Sequence, residues 1–308
     1  MKLDHTANGV FAIAATPFAP DGAVDTGSVE RMTDFYLSCG VTGLTILGIM
    51  GEAPKLDPAE ALAISKQVVR RANVPVIVGV SAPGFAAMRS LARGVMDGGA
   101  AGVMIAPPPT LRTDDQIIEY YAQAVAAIGT DIPFVIQDYP LLLTVVMTPK
   151  VLRRIVMDNP SCVMLKHEDW PGLDKISALR SFQRDGSLRP LSILTGNGAL
   201  FLDFEMERGA DGAMTGYAFP DMLVDVVNYA QAGRRDAAHD LFDAHLPLIR
   251  YEQQRGIGLA VRKYVLRKRG AIAHDTQRVP GGSLNAAARA EVDYLLSRLA
   301  GYDPRAKF

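Results

Sequence analysis

The chain has 308 residues, of which 49% are apolar and 21% are charged, and its formal net charge is -1. This composition is typical of a globular protein with a large core, and the dispersed basic residues argue against a nucleic-acid or membrane surface. The first nine residues are polar and no apolar stretch approaches the length of a membrane span, so we expect a cytoplasmic protein.

Short apolar runs alternate with helical patterns along the whole chain. The runs are apolar on both faces, which is typical of buried strands in a parallel sheet. The pattern predicts eight strands, at residues 10–15, 43–47, 76–80, 102–105, 134–136, 163–166, 192–195 and 212–215.

Amphipathic stretches separate these strands, and several open with helix start signals such as Asp57-Pro58 and Thr148-Pro149. Eight strand–helix units are the number found in a TIM (β/α)8 barrel, an α/β fold. An open doubly wound sheet is the alternative, but no glycine-rich dinucleotide fingerprint follows the first strand. The predicted helices lie at residues 26–38, 58–71, 86–96, 114–127, 149–158, 173–183, 199–208 and 220–230.

Further helical segments follow the eighth unit, at residues 236–254, 259–268 and 283–300. No Ser/Pro/Gly-rich linker precedes them, so they are predicted to pack on the barrel. We therefore divide the chain into a barrel at residues 1–232 and a C-terminal helical extension at 233–308, within one structural unit.

Lys166 is the candidate nucleophile of the sequence, because it ends the sixth apolar run. In a TIM barrel the reacting groups lie at the carboxyl ends of the strands and in the loops that follow. Burial favours the neutral amine of a lysine, and a neutral amine attacks a ketone to form a Schiff base. The alternative is an ordinary solvated cation.

Three segments at predicted strand ends carry a resemblance to a known family. They are Thr16-Pro17-Phe18, the Gly48–Glu52 loop with its Gly-x-x-Gly-Glu pattern, and Lys166. Together they resemble the dihydrodipicolinate synthase / N-acetylneuraminate lyase superfamily over nearly the whole chain. The resemblance implies a TIM barrel, a lysine imine with a small 2-keto acid, no separate cofactor, and a homo-oligomer, either a dimer or a tetramer.

Four departures separate the chain from the dihydrodipicolinate synthases of that family. Ile49-Met50 stands where they carry Thr-Thr, and Pro109 where they carry a tyrosine. Their Tyr-Asn-x-Pro motif here reads Gln137-Asp138-Tyr139-Pro140, and Leu141 or Leu142 takes the place of a carboxylate-binding arginine. Leucine cannot make the bidentate contact of arginine, which argues against dihydrodipicolinate synthesis.

A subgroup of the family is nearer to this pattern. The Gln137–Pro140 segment, the run from Gly209 to Gly216, Phe219-Pro220-Asp221 and Leu246-Pro247-Leu248-Ile249 resemble the 2-keto-3-deoxy-L-arabonate dehydratases. This resemblance implies removal of water from a deoxy keto sugar acid through the same lysine imine. The Gly48–Glu52 loop is nearer to that of the synthases.

The candidate catalytic residues are Lys166, Tyr139, Glu168 and Gln137. Glu168 lies two positions after Lys166, so in an extended strand both side chains point to the same side. Tyr139 and Glu168 are the candidate acid and base, although Tyr139 also fits a packed loop aromatic and Glu168 a partner of a nearby arginine. Gln137 has no usable proton equilibrium and is expected to orient a water or a hydroxyl group.

Candidate substrate-binding residues lie in the loops after the first, second and eighth strands. Main-chain N–H groups of a glycine-containing turn bind anions without hydroxyl side chains. The binding set is Thr16, Gly48, Ile49, Met50, Gly51, Met214 and Thr215. No metal is expected, because the two cysteines and five scattered histidines lack ligand spacing.

The sequence leaves three functions open. Loss of the C3 proton from the imine followed by loss of the C4 hydroxyl is a dehydration, which makes the protein a hydro-lyase. Deprotonation of the C4 hydroxyl instead cleaves C3–C4, as in a pyruvate-dependent aldolase or, in reverse, a synthase. The third function is a non-catalytic keto-acid-binding protein that has lost its tyrosine relay.

Overall fold

A computed structural model describes residues 2–170 and 172–308. Eight parallel strands close into a barrel in sequence order, with β1 paired to β8, so the predicted TIM barrel is confirmed. Gly212 is required at this closure, because a Cβ there would lie 1.8 Å from the carbonyl oxygen of Gly9. The strands are β1 Gly9–Ile13, β2 Gly43–Ile46, β3 Val76–Gly79, β4 Gly102–Ile105, β5 Phe134–Asp138, β6 Cys162–His167, β7 Ser192–Thr195 and β8 Gly212–Ala213.

Helices surround the barrel, and several begin where the sequence predicts. Asp57 caps the second helix in a capping box with Glu60, because each side chain accepts a hydrogen bond from the other residue's N–H group. The helices up to the last barrel unit are α1 Thr26–Ser38, α2 Pro58–Arg71, α3 Phe85–Asp97, α4 Asp114–Ile128, α5 Pro140–Leu143, α6 Pro149–Asp158, α7 Leu173–Arg184, α8 Leu202–Glu207 and α9 Pro220–Gln231.

Two local differences from the predicted elements matter for the site. Strand β5 continues to Asp138, which places Gln137 inside the strand. Helix α8 begins at Leu202, later than predicted, because Asn197 and Ala199 adopt left-handed backbone angles with φ of 47° and 67°. Non-glycine residues rarely adopt these angles, so the segment before α8 forms a separate turn.

Three helices follow the barrel: α10 Arg235–Glu252, α11 Gly258–Lys268 and α12 Ala286–Leu299. Helix α10 packs on α9 and carries His245, whose buried ring lies 2.8 Å from both the Tyr217 hydroxyl and Asp303. Helix α11 sends Lys263 to the carbonyl oxygen of Thr16 at the barrel mouth. These contacts place the ends of α10 and α11 beside the carboxyl ends of the strands.

None of the helices in the described ranges has both the length and the apolar character needed to cross a lipid bilayer.

Candidate active site

Lys166 lies at the carboxyl end of β6 and is 5% exposed. The register of the barrel pairs it with Gln137 on β5 and with Leu194 on β7. Its side chain borders a cavity of about 770 Å³ at the barrel mouth, a volume typical of small-molecule sites. The predicted nucleophile therefore lies where a substrate can reach it.

Glu168 provides a carboxylate directly beside this amine. Its Oε1 lies 2.8 Å from Nζ of Lys166 and accepts a 2.8 Å hydrogen bond from Nε2 of Gln137. Its Oε2 accepts a 3.1 Å hydrogen bond from the main-chain N–H of Asn197. The structure brings Lys166, Gln137 and Glu168 together, and the partner of Glu168 is the lysine rather than an arginine.

The turn from Gly196 to Ala199 fixes the position of Glu168. A Cβ at Gly196 would lie 2.5 Å from Cγ of Glu168, so no larger residue fits there without moving the carboxylate. The three residues after Gly196 all have positive φ, which is costly for Asn197 and Ala199. This left-handed turn directs the Asn197 N–H at the carboxylate, a contact that the sequence pattern did not reveal.

Tyr139 follows β5 and borders the same cavity. Burial, and then the nearby charge of Glu168, raise the pKa of its phenol above the usual value. The hydroxyl therefore stays protonated near neutral pH and can donate a hydrogen bond. The structure places Tyr139 with the other predicted catalytic residues.

The loop after β2 contributes Ile49 and Met50 to the cavity wall. Within the described residues, neither main-chain N–H of this pair finds an acceptor in the protein. Thr16, whose hydroxyl donates to the carbonyl oxygen of Gly51 over 2.6 Å, supports the loop from outside the cavity. Gly48 and Gly51 shape the turn without lining the cavity.

The residues after β8 divide between the cavity and the core. Thr215 borders the cavity, and its buried hydroxyl has no hydrogen-bond partner among residues 2–170 and 172–308. Met214 is fully buried and is absent from the cavity wall, because neighbouring positions in extended chain point to opposite sides. Of the predicted binding set, Ile49, Met50 and Thr215 therefore face the cavity directly.

The C-terminal extension completes the cavity, which the sequence did not predict. Glu252, Gln253, Arg255 and Arg262 all lie on its wall. These residues come from the end of α10, the following loop and α11. Polar and charged residues at the ends of solvent-facing helices are common, so the sequence offered no signal that these four border a cavity.

Behind the site, on the other face of β5 and β6, three buried side chains form a polar cluster. Lys175 of α7 lies 2.8 Å from Asp138, and Asp138 lies 3.8 Å from the His167 ring. Lys175 also reaches Asp169, over 2.6 Å. These ion pairs connect the ends of β5 and β6 to α7 and so stabilise the edge that carries Gln137 and Lys166.

Residues 2–170 and 172–308 contain no group of three or more His, Cys, Asp or Glu side chains placed to hold a metal ion. The available chemistry is that of an amine, a hydrogen-bonded carboxylate and a phenol around one cavity. Such a set can form an imine with a ketone and move protons on the neighbouring carbons.

Comparisons with known proteins agree with this geometry. The model of the dihydrodipicolinate synthetase family matches residues 6–299. The chain is 32% identical to L-2-keto-3-deoxyarabonate dehydratase of Azospirillum brasilense over 94% of both chains. It is 26% identical to a probable 2-dehydro-3-deoxy-D-pentonate aldolase of Escherichia coli, over 84% of this chain and 90% of that one.

A solved structure is more similar still. The crystal structure of a dihydrodipicolinate synthase from Rhodopseudomonas palustris is 70% identical, with a TM-score of 0.96 over 97% of this chain and 99% of that chain. The chain is a lyase and belongs to the dihydrodipicolinate synthetase family.

Proposed function

We propose that this protein is a hydro-lyase that dehydrates a 2-keto-3-deoxy sugar acid through an imine on Lys166. The observation that carries this proposal is the carboxylate of Glu168, 2.8 Å from the lysine amine and also bound by Gln137. The relative from Azospirillum brasilense, a dehydratase of L-2-keto-3-deoxyarabonate, supports the substrate class.

The reaction begins at the lysine. Transfer of a proton from the ammonium of Lys166 to Glu168 gives the neutral amine, which attacks C2 of the keto acid. Loss of the C2 oxygen as water leaves a protonated imine. The positive nitrogen withdraws electrons from C3 and makes its proton acidic.

Glu168 then acts a second time. As a carboxylate it takes the C3 proton, and the resulting enamine expels the C4 hydroxyl, which leaves as water with a proton from Glu168. The protonated phenol of Tyr139 donates a hydrogen bond to the leaving oxygen. When C5 carries a hydroxyl, loss of a C5 proton gives an enol, and protonation at C3 and C4 converts C5 to an aldehyde. Hydrolysis of the imine then frees Lys166.

The carboxylate of the substrate needs hydrogen-bond donors on the cavity wall across the barrel from Lys166. The main-chain N–H groups of Ile49 and Met50 are free of protein acceptors within the described ranges and border the cavity. Successive N–H groups in a turn form an anion-binding nest. Thr215 adds a buried hydroxyl without a partner in the described structure.

The rival function is dihydrodipicolinate synthesis, which the 70% identical structure from Rhodopseudomonas palustris favours by its name. That reaction joins pyruvate to an aldehyde that carries its own carboxylate. Leu141 and Leu142, one of which takes the place of the carboxylate-binding arginine of the synthases, line the cavity and are 39% and 52% exposed. An apolar leucine cannot hold a carboxylate, so the wall is better suited to a substrate without a second one.

The first test is borohydride trapping with pyruvate, read by peptide mass. We expect a reduced adduct on the peptide that contains Lys166 in the wild-type protein and in Lys150→Ala, which removes an exposed lysine. Lys166→Ala should give none. A folded wild-type protein without an adduct would contradict the imine mechanism.

Product analysis then separates the three reactions. With 4,5-dihydroxy-2-oxopentanoate, dehydration yields 2,5-dioxopentanoate, whereas cleavage releases pyruvate. With pyruvate and aspartate semialdehyde, a synthase consumes both. Pyruvate release from the first substrate, or rapid condensation of the second pair, would contradict the hydro-lyase.

A further inference from the structure

Glu252 is a buried carboxylate on the cavity wall that the proposed mechanism does not use. It ends α10, is 2% exposed, and its Oε1 accepts a 2.9 Å hydrogen bond from Nε of Arg262. Its Oε2 has no hydrogen-bond partner in the described part of the chain. Burial raises the pKa of this carboxyl to about 7, and a buried acceptor left unpaired costs free energy unless a ligand fills it.

Arg262 has donors to spare at the same place. Only its Nε is engaged by a protein acceptor within the described residues. Its Nη2 lies beside Gly198, 2.9 Å from where a Cβ would stand, and Nε2 of Gln253 packs against the same glycine. Gly198 belongs to the left-handed turn that binds Glu168, so this wall lies next to the reacting end of the cavity.

An unpaired carboxylate oxygen beside free guanidinium N–H groups suits a hydroxyl group. A hydroxyl both donates and accepts, and can therefore satisfy both sides at once. A substrate carboxylate would accept from Arg262 but would face the carboxylate of Glu252, which disfavours it. An alkyl group would leave both polar groups unpaired.

We propose that Glu252 and Arg262 bind the terminal hydroxyl of the substrate and select a hydroxylated chain end over an alkyl or carboxylate end. This inference rests on the proposed function and specifies its substrate class. It predicts that the distal end of the substrate, away from C2, is neutral and polar.

Three substrates that differ only at the chain end test the subsite. They are 4,5-dihydroxy-2-oxopentanoate, 4-hydroxy-2-oxopentanoate and 4-hydroxy-2-oxopentanedioate, all with the same leaving hydroxyl at C4. For the wild-type protein we expect kcat/KM for the first to exceed that for each of the others roughly 100-fold, because a site built for a hydroxyl leaves its polar groups unpaired without one.

Glu252→Gln replaces the unpaired acceptor by an amide of the same shape. We expect kcat/KM for the dihydroxy acid to fall roughly tenfold, mainly through KM, and that for the dicarboxylate to rise by a similar factor as the repulsion disappears. A purely structural role would lower both. Glu291→Gln, an exposed site on α12, serves as the matched control and should change neither value.

Pyruvate trapping separates failure of this subsite from failure of the proposed function. Pyruvate has no distal hydroxyl, so Glu252→Gln should alter its rate of adduct formation less than about twofold. An adduct in the wild type with no preference among the three chain ends would overturn the subsite alone. An unchanged preference in Glu252→Gln would overturn it as well, and no adduct in the wild type would overturn both proposals.

Discussion

Residues 2–170 and 172–308 include the two buried lysine–glutamate pairs Lys166–Glu168 and Lys263–Glu52, and the first of them faces the cavity. Lys263 is fully buried and donates to Glu52. It also donates to the carbonyl oxygens of Thr16 and Thr276, over 2.8 Å in both cases. An ammonium has three donors, and all three are occupied. Lys166 is nearly as buried but has Glu168 as its single partner within the described residues.

The two lysines share burial next to a carboxylate, and they differ in their access to a ligand. Burial lowers the pKa of Lys263, yet this amine has no access to a ligand and its hydrogen bonds hold three chain segments together. Lys166 has unused donor capacity and an open cavity beside it. Access and incomplete hydrogen bonding thus support the proposed role of Lys166 as a nucleophile and that of Lys263 as a structural cation.

The largest effect is expected when the Lys166–Glu168 pair loses the negative charge of its carboxylate. Glu168→Gln keeps the shape but removes the base, so kcat should fall about 10³- to 10⁴-fold while borohydride still traps a pyruvate adduct on Lys166. Steady-state kinetics and peptide mass report the two effects. An unchanged kcat would remove Glu168 from the mechanism.

The structural pair should respond in stability. Lys263→Met leaves Glu52 buried without its closest cation, and the free energy of unfolding should fall by about 4 kcal/mol in urea titrations. Lys268→Met on the same helix removes a more exposed pair with Asp293, and a change below about 1 kcal/mol is expected. Similar losses for both variants would refute the distinction.

A buried carboxyl without a lysine partner sharpens the comparison further. Burial raises the pKa of Glu205 on α8 to about 7, above its unfolded value, so its contribution to stability is present at acidic pH and is lost as the pH rises through 7. The difference in free energy of unfolding between Glu205→Gln and the wild type should therefore shift in favour of the variant from pH 5 to pH 8, by on the order of 3 kcal/mol. Urea titrations at the two pH values measure the margin, and equal margins would contradict the shift.

The smallest effect is expected at the phenol of Tyr139, which borders the same cavity as Lys166. Tyr139→Phe removes one hydrogen bond to the leaving oxygen but keeps the ring, so kcat should fall about tenfold with little change in KM. A loss as large as that in Glu168→Gln would instead make Tyr139 the principal acid. Comparing both variants under the same conditions decides which group transfers the proton.

Local patterns predicted the barrel and the core of its site. Eight apolar runs with intervening helices sufficed for the fold, because strand burial and helix capping depend on residues close in sequence. The two-residue spacing of Lys166 and Glu168 predicted that both side chains point to one side, and in the structure they are in contact. Gln137 followed from its place at the end of the neighbouring strand.

Contacts between distant segments could not be predicted in this way. The turn at Asn197 adopts angles that its residues disfavour, and packing against Glu168 overrides their local preference. The approach of Glu252 and Arg262 to the cavity depends on how α10 and α11 pack on the barrel. The prediction of Met214 as a binding residue beside Thr215 is wrong, because alternation along the chain places its side chain in the core.

The hydrogen bonds of Lys263 also bear on the order in which the protein matures on the ribosome. Thr16 and Glu52 belong to the first barrel units, whereas Lys263 and Thr276 are synthesised at least 211 residues later. Since domains form from the N-terminus as the chain emerges, the early strands must wait for a distant cation before the mouth of the barrel is complete. Glu252 and Arg262 also follow all eight barrel strands in the chain, so a chain that stops before α10 would lack this part of the cavity wall, and substrate binding would require synthesis of α10 and α11.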